Sequence, residues 1–246
     1  MTIRALLLAA VLGLLPALAA AQGAPDAADV LDGVDDLLRG PSLALTSVQL
    51  VALLTVLSLA PGIAITVTCF PFVVTVLSIL RQAIGLQAAP PNMLIISLAL
   101  FLTYFVMEPV ALAAWEAGVA PWTRGEMDLP TAAPLALEPF RLFMAARVDP
   151  DTLEHMAALR PDAGPGATSV LVPSFLLSEI ARAFQIGLLV FMPFLIIDMV
   201  VAAVLMSMGM MMVPPVIVSL PFKLAFFVAV DGWALIAGAL VAGYAT

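Results

Sequence analysis

At 246 residues the chain could form one or two soluble domains, but 63% of it is hydrophobic and only 11% is charged, against roughly 45–50% apolar residues in ordinary soluble domains. A conventional soluble globular protein is therefore excluded. The net charge of −8 is spread over a few polar segments, and without a basic patch it gives no footing for nucleic acid.

The N-terminus reads as a secretory signal. Arg4 forms a short basic region, Ala5 to Leu18 an apolar core, and Ala19-Ala20-Ala21 a small-residue cleavage site before Gln22. Cleavage is expected after Ala21, with the new N-terminus on the periplasmic side. Residues 22–42 follow as an acidic arm carrying Asp26, Asp29, Asp32, Asp35 and Asp36. Leu43 to Leu80 is apolar for longer than one membrane crossing and is broken at Pro61-Gly62 and Pro71, so one long broken helix and two short ones fit equally well. The single cysteine, Cys69, lies in this run and excludes an intramolecular disulfide.

After a proline-marked loop at Ala88 to Asn92, Met93 to Met107 opens an apolar helix that is expected to stop near Glu108-Pro109 and continue weakly to Trp115. Composition then changes. Residues 116–169 carry Arg124, Arg141, Arg147, Arg160, His155 and repeated prolines, and read as a small polar insert. Within it Phe140, Phe143, Met144 and Arg147 fall at helical spacing, and Asp149-Pro150 reads as an N-cap and first helical residue. The two short helices are expected to pack on each other or on partners. His155 has no second ligand at metal-binding spacing.

Residues 170–246 read as a second hairpin of two helical arms. Between Ala183 and Met206 the only strongly polar side chains are Gln185 and Asp198, a length that crosses a hydrocarbon core of about 30 Å. Pro193 predicts a kink in that arm. The arm breaks at Met206-Ser207-Met208-Gly209-Met210-Met211-Met212-Val213-Pro214-Pro215, where Gly209 loosens the helix and tandem prolines forbid its regular continuation. Flexible thioethers crowded at a helix break suit a deformable seal or contact surface as well as they suit gap-filling in a core.

Charges inside these arms need partners or water. Glu179 and Arg182 lie three apart, which makes an intrahelical pair the ordinary reading. Lys223 has no acid nearby in sequence and is expected to pair with Glu179 or Asp198, across a boundary between subunits. Lys223 and Asp231 are about two helical turns apart and would share a face without touching. There is no nucleotide loop, nucleophile elbow or metal-ligand spacing, so neither an enzyme nor a cofactor is expected.

Several of these stretches carry a specific resemblance. Ser178-Glu179, Ala183-Phe184-Gln185-Ile186-Gly187, Pro193 to Asp198, Met208 to Pro215, Leu220-Pro221-Phe222-Lys223-Leu224 and Val230-Asp231-Gly232-Trp233 occur in the order found in the FliP family. These are flagellar export-gate proteins whose virulence-system counterparts form the SctR family. The resemblance extends upstream through Ala89-Pro90-Pro91-Asn92 and Leu98 to Thr103.

It implies an all-α membrane or export-gate protein with kinked helical hairpins, about four apolar spans and no catalytic step. Further implications are a homo-oligomer with FliQ-like and FliR-like subunits, FlhA-like and FlhB-like export components with an ATPase, and unfolded flagellar proteins as cargo in the bacterial inner membrane. Met210, Met211 and Met212 match the motif taken in the family to ring the closed channel, with Met206 and Met208 beside them. In that family a basic residue usually follows the aromatic near Cys69 to Leu77, whereas Cys69-Phe70-Pro71-Phe72 has none. Secondary transport through Glu179, Asp198 and Asp231 is the alternative of a different class, but the first half contains no repeat of these positions or of the methionine run.

One conflict attends the orientation. With the mature N-terminus outside, four crossings place Arg81 inside but Arg124, Arg141, Arg147 and Arg160 outside, against the positive-inside tendency. The same conflict arises if the helices assemble above the membrane plane, as the resemblance implies. Mass spectrometry of the purified protein is expected to find Gln22 as its first residue, and a retained Met1 would remove the reason for placing that end in the periplasm.

Overall fold

The computed structural model describes residues 51, 54, 55, 58, 59, 62–85, 90–164, 166–210 and 212–244. The expected signal peptide (1–21), the acidic arm (22–42) and Met211 lie outside the described residues. The chain divides into two units, Met1–Leu59 and Ala60–Thr246. In the first, residues 51, 54, 55, 58 and 59 are helical, and the Thr55 hydroxyl donates to the Val51 carbonyl at 2.8 Å.

Among the described residues of the second unit, all regular structure is helical. Residues 62–66 are helical, and after them, in chain order, come α1 Phe70–Ile84, α2 Asn92–Ala114, a π-helical turn Trp115–Val119, α3 Ala120–Thr123, α4 Leu129–Arg147, α5 Pro150–Ala158, α6 Thr168–Ser207, α7 Pro215–Ala229 and α8 Gly232–Ala242. Two continuous helical stretches, Asn92–Thr123 and Thr168–Ser207, are long and apolar enough to cross a membrane. The bent pair α7 and α8, meeting at 61°, would make a third. The count expected from sequence, about four, is not reached among the described residues.

The protein is organised on α6, whose 40 residues extend about 60 Å at 1.5 Å per residue. This helix runs unbroken through Pro173 and Pro193. Its principal neighbour is α1, and the two touch without intervening bulk because Gly187 faces Ile79. A Cβ added at Gly187 would sit 2.3 Å from Ile79 Cδ1, with Ile79 Cγ2 at 3.2 Å and Cβ at 3.3 Å. Phe72, Val76 and Leu80 of α1 and Ala183 and Phe194 of α6 are buried in the shared core, joined by Phe227 and Ile236 from α7 and α8.

A second small cluster, Met144, Leu171 and Phe175, joins the insert to the start of α6. The insert's helices α4 and α5 find their main support outside the insert. Both pack against α6, and α4 also packs against α2 and the π-helical turn. The N-cap anticipated at Asp149 is present, its carboxylate accepting from the Thr152 amide at 2.9 Å and the Thr152 hydroxyl at 2.8 Å. Those bonds, the hydroxyl's first, hold the Asp149 carboxyl below the usual carboxylate range. The cap is thus fully made at neutral pH and weakens as pH falls through that lowered value.

Pro109 does not end α2, and the continuation expected as far as Trp115 is present. The helix continues through it to Ala114, and helical backbone persists into the stretch that composition assigns to the insert. Proline removes one donor and bends a helix, but packing can carry the helix past it. Farther on, Gly118 lies tight against α4: a Cβ there would lie 2.4 Å from the Ala132 carbonyl oxygen and 2.7 Å from the Ala136 Cβ.

The α1–α6 contact generates a paired prediction. Gly187→Val is expected to lower thermal stability in detergent by about 1–3 kcal/mol through overpacking. Gly238→Ala, a helical site with nothing within 4 Å of the added Cβ, is expected to be neutral or to stabilise by about 0.5–1 kcal/mol. Equal effects of the two substitutions would contradict the tight contact.

Candidate functional site

The methionine segment ends α6 in a defined way. The Met210 amide donates to the Leu205 carbonyl at 3.0 Å and the Gly209 amide to the Met206 carbonyl at 3.0 Å, while Gly209 adopts φ 74°. This pair of bonds around a left-handed residue is the Schellman arrangement, which satisfies carbonyls left open at a helix end and favours glycine at the left-handed position. Pro214 and Pro215 then start α7, where proline is tolerated because the first helical amides have no intrahelical acceptor. The backbone that closes α6 is thus held by cap bonds, yet the described methionines it carries are bare. Met206, Met208, Met210 and Met212 are all exposed, from 42% at Met210 to 97% at Met212.

Immediately beside the turn, between α6 and α7, lies an exposed apolar groove lined by Ile197, Val201, Leu205, Val218 and Phe222. On the core side of these helices an ionic network holds the two arms together. Asp198 Oδ2 accepts from Lys223 Nζ at 2.6 Å, and Asp198 Oδ1 accepts from the Ser219 hydroxyl at 2.5 Å. Ser219 and Lys223 are one helical turn apart on α7 and so present both donors to the same carboxylate. Lys223 Nζ also donates to the Ala83 carbonyl at 3.0 Å. Helix α1 ends there, with Gly85 at φ 86°, and its terminal carbonyls are the negative end of a helix dipole that favours a cation.

Of the two partners proposed for Lys223, Asp198 is the one that meets it, within this chain. The side chain of Lys223 is 4% exposed and that of Asp198 28% exposed, so the lysine is the more deeply committed partner.

Glu179 lies elsewhere, buried near the start of α6. Its cationic neighbour is Arg147 of α4, with Arg147 Nε 3.9 Å from Glu179 Oε1, and the Tyr244 hydroxyl donates to Glu179 Oε2. Arg182, three residues along, instead turns to the Gly243 carbonyl at 3.4 Å. The helical spacing of Glu179 and Arg182 did not decide the pairing, because a half-buried arginine and a phenol from distant parts of the chain compete for the carboxylate. Arg182 also stands 5.7 Å from the centre of the Phe72 ring, so a cation reaches the aromatic near Cys69 although the local sequence has none.

Asp231 does not share a helix face with Lys223. Helix α7 ends at Ala229, and Asp231 sits in the bend at φ 50°, exposed and without an ion pair among the described residues. Gly232 follows because a Cβ there would fall 2.1 Å from Cε2 of the Phe227 ring. Within this chain the Val230-Asp231-Gly232-Trp233 motif forms the bend between α7 and α8. Among the described residues no group of three or more His, Cys, Asp or Glu is placed to hold a metal, and His155 is exposed.

Comparison with known proteins follows the same segments. The FliP family model matches residues 53–240. The chain belongs to the FliP family. Among similar relatives, the flagellar biosynthetic protein FliP of Caulobacter vibrioides is 49% identical over 242 residues, covering 96% of this chain and 91% of that protein. FliP of Agrobacterium fabrum is 43% identical over 98% of this chain and 99% of its own. FliP of Bacillus subtilis is 45% identical over 81% and 92%. Membership of the FliP family makes the chain a component of flagellar biosynthesis, and the methionine turn, the Asp198–Lys223 pair and the Asp231 bend all fall inside the matched region.

The ionic network predicts an asymmetry. Asp198→Ala strands an ammonium that is almost fully buried and is expected to lower stability in detergent by roughly 3 kcal/mol or more. Lys223→Ala leaves Asp198 with Ser219 and some access to solvent and is expected to cost less. Thermal unfolding of both variants checks the order, and a larger loss for Lys223→Ala would contradict it.

Proposed function

We propose that the chain is a core subunit of the flagellar type III protein export gate, in which several copies surround a channel for unfolded flagellar proteins. The methionine turn seals that channel. The observation that carries this reading is a fixed backbone turn at the tip of an apolar hairpin that presents bare thioethers. A ring of such side chains dehydrates a narrow passage against ions yet deforms around a moving polypeptide, because each thioether has several rotatable bonds and no fixed hydrogen bonds to break.

The turn stands on a firm base, since Asp198, Ser219 and Lys223 tie both arms to the end of α1. The exposed apolar groove between α6 and α7 and the uncovered faces of α2 and α6 suit a subunit whose apolar surface is completed by assembly or lipid. On this reading the subunit lies in the flagellar basal body at the bacterial inner membrane, with its mature N-terminus on the periplasmic side. It assembles with further copies and FliQ-like and FliR-like subunits, receives cargo through FlhA-like and FlhB-like components, and performs no catalytic step itself. The relatives' names favour the flagellar system over the virulence type. Of the charged positions considered for ion relay, Asp198 is held by Ser219 and Lys223 and Asp231 lies in an exposed bend, an arrangement that favours a structural part over a transporter.

The test is the triple substitution Met210→Ala, Met211→Ala and Met212→Ala in the assembled gate. Assembly is expected to persist, measured by co-purification, while ion conductance across the membrane rises. Unchanged conductance in an intact assembly would reject the seal.

A further inference from the structure

The second polar centre, around Glu179, belongs neither to the methionine turn nor to the network beneath it. Four parts of the chain meet there, one of them α1 through Phe72. Helix α4 supplies Phe143 and Arg147, α6 supplies Glu179 and Arg182, and the turn after α8 supplies Gly243 and Tyr244. The Tyr244 ring is gripped on several sides: Phe72 meets it edge-on at 5.4 Å between centroids, Phe143 stacks with it at 6.1 Å, and the Arg147 guanidinium carbon stands 3.8 Å from its centroid. Its hydroxyl donates to Glu179. The preceding carbonyl, of Gly243, accepts from both Arg147 and Arg182.

Each interaction is of an ordinary kind, but their convergence on one side chain is specific. A guanidinium over an aromatic face gains from the ring's quadrupole, most where water is excluded. A carboxylate that is 1% exposed must keep its partners. Removing Tyr244 would take away the hydrogen-bond donor to Glu179, the surface under Arg147 and the packing against Phe72 in one step. The insert reaches this centre through the end of α4 and through Asp149, whose amide donates to the neighbouring Ser178 hydroxyl at 3.0 Å, and the end of α8 reaches it through Gly243 and Tyr244.

We infer that Tyr244 is a positioning residue: its ring, seated among Phe72, Phe143 and Arg147, and its hydroxyl, placed on Glu179, lock the end of α8 to the α4–α6 junction, so that the polar insert and the second hairpin move as one body. The lock is at the opposite end of α1 from the Asp198–Lys223 network, since Phe72 begins that helix and Ala83 closes it. The two centres hold the hairpin independently. This coupling does not depend on how many copies assemble or on what passes between them.

Hydrogen exchange on the full chain in detergent tests it, comparing the native sequence with Tyr244→Ala and Tyr244→Phe. In Tyr244→Ala, protection of residues 232–242 and of residues 143–153 is expected to fall together, by roughly tenfold or more in exchange rate, while residues 79–84, 187–198 and 219–223 keep theirs. Tyr244→Phe keeps the ring and is expected to restore most of the protection in both windows. Loss confined to 232–242 would overturn the coupling, and so would uniform loss over the whole chain, which a general destabilisation produces. If Tyr244→Ala does not accumulate, Tyr244→Phe is read alone: a smaller loss shared by both windows supports the lock, and unchanged protection in either window refutes it.

Discussion

A charge placed among apolar helices must be answered by the same few side chains that hold those helices together, and this requirement shapes the hairpin. Asp198 and Lys223 lie 25 residues apart in sequence, each in a segment with almost no other polarity. Neither could be accommodated alone without a cost of several kcal/mol. Together, with Ser219 and the open end of α1, they convert that cost into a geometric specification, because only one relative placement of α1, α6 and α7 satisfies every donor and acceptor. The methionine turn inherits its position from this arrangement.

The chain thereby separates two properties that usually conflict. Its backbone at the turn is fixed by cap bonds, a left-handed glycine and two prolines, whereas the side chains the turn carries are the most adaptable of the apolar set. A rigid mount with soft tips suits a surface that must return to the same place after being displaced. Nothing comparable exists at the α7–α8 bend, where Asp231 and Gly232 specify the angle with small or compact groups and the neighbouring Phe227 ring fills the space that a side chain at Gly232 would need.

How much of this could be read beforehand differs by feature. The helices, the methionine break and the cap at Asp149 follow from local chemistry: apolar runs, a glycine before two prolines, and an acid preceding a proline leave little choice. Asp198 was open to inference as a partner of Lys223 because few acids were available. The pairing of Glu179 was not, since its true neighbours, Arg147 and Tyr244, stand 32 and 65 residues away and no periodicity links them to it. At Pro109 the local chemistry marks a weak point in the helix, whereas the packing of α2 on α4 around it is a tertiary fact. The bend at Asp231 was hidden by apolar residues on both sides that read as one continuous arm.

The seat of Ile79 against Gly187 also limits how the protein can move. An isoleucine lodged in the gap left by a missing side chain acts as a detent, and sliding α6 lengthwise along α1 would drive it into the bulkier residues on either side. The seat thus resists lengthwise travel of α6 while leaving rotation about it less hindered.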